Sequence, residues 1–104
     1  MSQLPIRLRV TVEDRATLIR AFFRHPMESG FNKGPDGEPL PAHFITEVEL
    51  RVDGELVATV FTGPGISADP RFSWRVAGVR AGDTIRVSWS DNRGSRQSAE
   101  ATAG

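Results

Sequence analysis

A chain of 104 residues with 38% hydrophobic and 25% charged side chains has enough apolar material for one core and too much for a disordered tail, so we read residues 1–104 as a single domain. Thirteen Lys and Arg balance thirteen Asp and Glu, a neutrality that speaks against nucleic acid or an anionic membrane as the main partner. The absence of cysteine excludes a disulfide framework, a thiolate metal site and a cysteine nucleophile.

Met1-Ser2-Gln3-Leu4 passes into Pro5 with no basic region and no apolar run, so neither a signal peptide nor a membrane span is expected, and taken alone this points to the cytoplasm. Ile6 to Val12 alternates apolar and polar residues at period two and predicts a half-buried strand. Glu13-Asp14-Arg15 turns. Leu18, Ile19, Phe22 and Phe23 fit a helical stripe as well as a strand buried on both faces. Pro26 stops the run before three helical turns, which favours the strand.

Arg24 to Ile45 is a long connection of unusual composition. It holds His25-Pro26-Met27-Glu28-Ser29-Gly30, a breaker-rich tip from Lys33 to Pro39, and Pro41-Ala42-His43-Phe44-Ile45. Next, Phe44, Thr46, Val48, Leu50 and Val52 share one face of a strand, and Glu47, Glu49 and Arg51 the other. Asp53-Gly54 is a strong hairpin signal, with Glu55 to Phe61 as the returning strand. Gly63 to Pro70 is a second loop. Phe72, Trp74 and Val76 alternate, Ala81-Gly82-Asp83 turns into Thr84 to Trp89, and Asn92-Arg93-Gly94 turns into a polar strand from Ser95 to Thr102. About seven short strands with frequent turns predict an all-β, immunoglobulin-like antiparallel β-sandwich. Leu8, Val10, Leu50, Val60, Trp74, Val87 and Trp89 are expected to supply most of its core.

Several residue sets invite a chemical reading. His25, Met27 and Glu28, with His43, offer donors that a soft metal such as copper accepts. Alternation separates Glu28 from the other two, however, and no further ligand cluster is evident, so no metal and no cofactor is expected. A Ser–His–Asp set would have to use His25 or His43, and no serine stands in a G-x-S-x-G context. Glu47 and Glu49 read as the solvated side of a strand. Gly63-Pro64-Gly65 lacks the strand-to-helix setting of a phosphate loop. No catalytic residues are assigned. Phe31, Phe44 and Phe61, close to Gly- and Pro-rich loops, either form an exposed patch for a protein partner or cap the ends of the core.

The runs His25 to Gly30 and Pro41 to Ile45, with Lys33, resemble the SoxZ family. The likeness continues through Glu47-Val48, Gly54, Gly63-Pro64-Gly65-Ile66-Ser67, Pro70, Gly82-Asp83, Val87, Trp89, Asp91-Asn92, Gly94, Ser98 and Glu100-Ala101. Gly34 and Ala68-Asp69 depart from the family pattern in loops, which touches local surface charge. The resemblance implies an immunoglobulin-like sandwich without enzymatic activity, one half of the SoxYZ sulfur carrier in thiosulfate oxidation. It implies a heterodimer with SoxY, whose C-terminal cysteine holds the sulfur intermediates, or a dimer of such pairs. It further implies transient contacts with other Sox enzymes and residence in the periplasm, exported with SoxY. On this reading His25, Met27, Glu28, Ser29, Gly30, Phe31, Lys33, His43, Phe44 and Ile45 form the partner interface, and an isolated subunit is open to homodimerisation. A related carrier serving another oxidation system is the alternative within the family. A generic binding module, for carbohydrate for example, is the alternative outside it, and Trp74 and Trp89 would have to supply its platform.

Overall fold

The computed structural model describes residues 5–104, so the expectation that residues 1–4 open no signal peptide lies outside the described residues. Seven strands follow in chain order: β1 (Ile6–Val12), β2 (Thr17–Phe23), β3 (Ile45–Val52), β4 (Glu55–Phe61), β5 (Arg71–Val76), β6 (Thr84–Asp91) and β7 (Arg96–Thr102). They form two antiparallel sheets, β1-β2-β5 and β4-β3-β6-β7, with β1 lying against β7 where the sheets meet. This is the immunoglobulin-like sandwich expected. There is no helix among the described residues, hence none long and apolar enough to cross a membrane.

Local chemistry sets the elements. Asp53 and Gly54 take φ of 50° and 82°, the pair of left-handed conformations that a two-residue turn needs to match the twist of β3 and β4. β2 is a strand, as Pro26 suggests, but it is buried on one face only, with Thr17, Ile19, Ala21 and Phe23 pointing inward. On the other face Leu18 is covered, Phe22 half-buried and Arg20 exposed, because the outer side of a sandwich sheet faces solvent. β6 alternates cleanly, with Ile85, Val87, Trp89 and Asp91 pointing in.

Two further expectations need correction. The inward face of β3 does not run Phe44, Thr46, Val48 as alternation predicts. A register irregularity between Ile45 and Glu47 changes the phase, so that Ile45 is fully buried and Thr46 half-buried. The core also differs in membership. Leu50, Val87 and Trp89 are in it, whereas Leu8, Val10, Val60 and Trp74 only pack against its rim. Leu8, Val10, Val60 and Trp74 belong to β1, β4 and β5, the outer strands of their sheets, where one flank is open. Ile6, Ile19, Ala21, Phe23, Ile45, Val48, Ile85 and Ala103 fill the centre instead.

Antiparallel order brings the end of β2, the start of β3, the ends of β4 and β6 and the start of β7 to one end of the sandwich, as the pairing of Ile45 with Asp91 records. The long connection between β2 and β3 enters there.

Candidate functional site

The connection is held by its own polar groups. His25 donates its backbone N–H to Asp69 Oδ1 at 3.0 Å, and its carbonyl accepts the Asp69 N–H at 2.9 Å, so the second loop is tied to the first. Met27 takes φ of 49°, a left-handed conformation costly for a side chain of its size. Its N–H donates to His25 Nδ1 at 3.1 Å, and its buried Sδ accepts the Ile45 N–H at 3.3 Å. Glu28 and His43 exchange both backbone hydrogen bonds, at 2.7 and 2.8 Å. Glu28 Oε1 accepts from Gly30 N–H and Asn32 Nδ2, and Ser29 Oγ accepts from Phe31 N–H. Gly30 sits at φ of 90°, and a Cβ there would stand 3.2 Å from that of Ala42.

The structure gathers His25 and His43 around Asp91. Both Nε2 atoms donate to Asp91 Oδ2, from 3.2 Å and 2.9 Å respectively. Asp91 Oδ1 accepts the backbone N–H of Arg93 and of Ser95. The Asp91 side chain is wholly buried, and His25 is 2% exposed against 27% for His43. The His25 ring stands edge-on to Trp89, with centroids 5.0 Å apart.

Asp91 is the residue that sequence reasoning missed. Its signal was the alternation of β6, which puts a carboxylate on the inward face after Ile85, Val87 and Trp89.

Electrostatics follows from the geometry. Burial disfavours the imidazolium of His25 and sets its pKa below the usual 6.5, and the neighbouring His43 and the Arg93 charge act in the same direction. The hydrogen bond and charge of Asp91 act in the opposite direction without overcoming them. Burial alone would raise Asp91. Hydrogen bonds from His25, Ser95, His43 and Arg93 outweigh that and hold it below 3.8, as a carboxylate.

His25, His43 and Asp91 place three potential ligand atoms within 4.8 Å of one another, so a cation has to be considered. The hydrogen bonds argue against one. Because His25 Nδ1 accepts the Met27 N–H, the ring proton sits on Nε2, the atom a metal would need. A metal-bound histidine normally donates from its other nitrogen, and here that nitrogen meets a donor. The cluster is therefore a hydrogen-bonded clamp: one buried carboxylate joins the long connection to the β6–β7 turn.

The predicted interface residues divide by exposure. His25, Met27 and Ile45 are buried in the chain's own core, Phe44 packs against it, and Glu28, Ser29, Gly30 and His43 are half-buried. Phe31 is 86% exposed and Phe61 79%, while Lys33 is also exposed. Of the three loop-proximal phenylalanines, then, two stand in solvent and Phe44 caps the core.

No curated protein matches the chain. Residues 6–102 match the family model described as sulphur oxidation protein SoxZ. The match spans nearly the whole sandwich, including the clamp and both loops that it joins, and the chain belongs to the SoxZ family, with a role in sulfur oxidation.

Proposed function

We propose that this chain is the non-catalytic half of a two-chain sulfur carrier for thiosulfate oxidation. It pairs with SoxY, whose cysteine on a flexible C-terminal arm holds the sulfur intermediates, and helps present that arm to the other Sox enzymes. Because the chain has no cysteine, any thiol must come from another chain. The carrier works in the periplasm, reached by export together with the partner.

The observation that carries a partner surface is the contrast among sheet edges. Edge strands of natural proteins are blunted by charge, cover or distortion. β1 carries Arg7 and Arg9, β5 carries Arg71 and Arg75, and β7 carries Arg96 and Glu100. β4 has a single charge, Glu55 at its start, and one local distortion, at Val57, and leaves Leu56, Val57 and Phe61 exposed. Phe61 also lies at the end of the sandwich where the long connection enters, since it pairs with Glu47 beside Ile45. An added strand of the partner, with an apolar cluster beside it, fits such an edge.

A carbohydrate platform is disfavoured, because Trp89 is buried and Trp74 packs against the core. Co-expression with the cysteine-tailed partner, followed by size exclusion with light scattering, tests the reading. A 1:1 complex, or a dimer of such pairs, with sulfur adducts confined to the partner's cysteine is expected. A chain eluting alone at 11.4 kDa would overturn it.

A further inference from the structure

We infer that His43, backed by Asp91, is a proton acceptor for a thiol brought to this surface by the partner chain. The inference rests on the reading of a cysteine-bearing partner given above. The two histidines of the clamp are not equivalent. His25 has both ring nitrogens committed, to Met27 and to Asp91, and is sealed from solvent. His43 commits Nε2 to Asp91 at 2.9 Å, which leaves the lone pair of the neutral ring on Nδ1. Among the described residues, Nδ1 of His43 has no hydrogen-bond partner, and it is not one of the buried atoms lacking one. With its side chain 27% exposed, His43 is the member of the clamp that can exchange a proton with a visiting group.

The charged surroundings suit that exchange. Asp91 remains an anion behind the ring and compensates the imidazolium that forms. Glu28, across the backbone bridge from His43, turns its carboxylate to Gly30 and Asn32. The Arg93 side chain lies on the Ala42 carbonyl, its Nε donating at 3.4 Å, and His25 stays neutral. A thiol, with an ordinary pKa of about 8.5, is an acid weak enough to keep its proton in water and to give it up to a neutral imidazole backed by a carboxylate. In the step, the S–H bond breaks, the proton passes to His43 Nδ1, and the electron pair stays on sulfur as a thiolate. No oxidant or reductant is required. The thiolate is the form that attacks and holds sulfur.

The test uses the assembled complex and the pH dependence of alkylation of the partner's cysteine by iodoacetamide. The comparisons are a free peptide of the cysteine arm and the complex carrying His43→Gln, whose amide can still donate to Asp91. A thiol pKa lower in the complex than in the peptide is expected, with alkylation below pH 7.5 faster by about threefold per unit of lowering. His43→Gln should restore the peptide profile while the mass by light scattering stays unchanged. Superimposable profiles for the two complexes would overturn the inference and leave the carrier reading intact. So would an unchanged thiol profile accompanied by loss of thiosulfate binding, which would mark an oxyanion site. Failure to form the complex at all would remove the carrier reading, and this inference with it.

Discussion

His25 and Asp91 stand 66 positions apart in the chain, yet their side chains meet at 3.2 Å with both closed to solvent. That contact converts a long, glycine- and proline-bearing connection into part of the sandwich, because the same carboxylate also accepts from His43, Arg93 and Ser95. Asp91→Asn should therefore be costly. Its amide would keep one oxygen for the two backbone donors but would turn an NH2 toward the two imidazole N–H groups. Urea unfolding at pH 7 should show a loss of about 2–4 kcal/mol, the range for breaking a buried charged hydrogen-bond set. A loss under about 1 kcal/mol would mean that the clamp does not hold the loops.

The clamp also gives stability a pH dependence of determined sign. His25 has its folded pKa below 6.5, so between those two values the unfolded chain binds more protons than the folded one. Stability should be level above about pH 6.5 and fall as pH drops through that value toward the lowered folded pKa. Asp91, lowered from 3.8, adds a second fall below that pH. Urea midpoints measured from pH 8 to pH 4.5 should follow the first decline, and His25→Gln should flatten it whatever its stability at pH 8. A midpoint that rises on acidification would contradict a neutral, buried His25.

Periodicity reaches as far as local rules do, and the clamp lies beyond them. β1 falls where alternation puts it, β4 falls where the Asp53-Gly54 hairpin signal puts it, and that turn takes the φ values its residues prefer. The buried strand β2 was separable from a helix only because Pro26 stops it. The phase of β3 failed at Ile45, because a register irregularity has no signature in composition. His25 and His43 could be named from sequence, but their meeting depends on Asp91 in a strand paired with β3. Only the three-dimensional arrangement tells that His25 and Met27 face inward while Phe31 faces out.

Two glycines of the long connection make an internal control. Gly30 and Gly37 have φ of 90° and 80°, but a Cβ at Gly30 would press on Ala42 at 3.2 Å, whereas one at Gly37 meets nothing within 4 Å. Gly37→Ala should cost the backbone strain alone, about 1 kcal/mol, and Gly30→Ala should exceed it. Thermal or urea unfolding of the pair gives the comparison. Equal losses would show that the loop yields at Ala42.

The tautomer of His25 governs the response to metal. With the His25 ring proton on Nε2, added zinc or copper(II) near stoichiometric concentration should leave the melting temperature unchanged at pH 7. A clear upward shift that His25→Gln abolishes would show that the ring can turn and that the three side chains are ligands after all.

The β4 edge makes the sharpest separation between stability and association. Phe61 and Val57 are exposed, and Val57 is passed over where the pairing of Leu50 with Ala58 gives way to that of Arg51 with Leu56. Neither substitution Phe61→Ser nor Val57→Lys removes a core contact, so each should change stability by no more than about 0.5 kcal/mol. Each should nevertheless weaken the complex with the cysteine-bearing partner by about tenfold or more, corresponding to roughly 1.4 kcal/mol. The reasons differ: serine removes an apolar anchor, while lysine places at the edge the charge by which sheets ordinarily refuse a new strand. Titration calorimetry beside a urea melt of each variant reads both quantities. If affinity is untouched while Lys33→Glu or Phe31→Ser reduces it, the partner sits on the long connection and not on β4. Parallel losses in affinity and stability would mean that these side chains support the fold and carry no interface of their own.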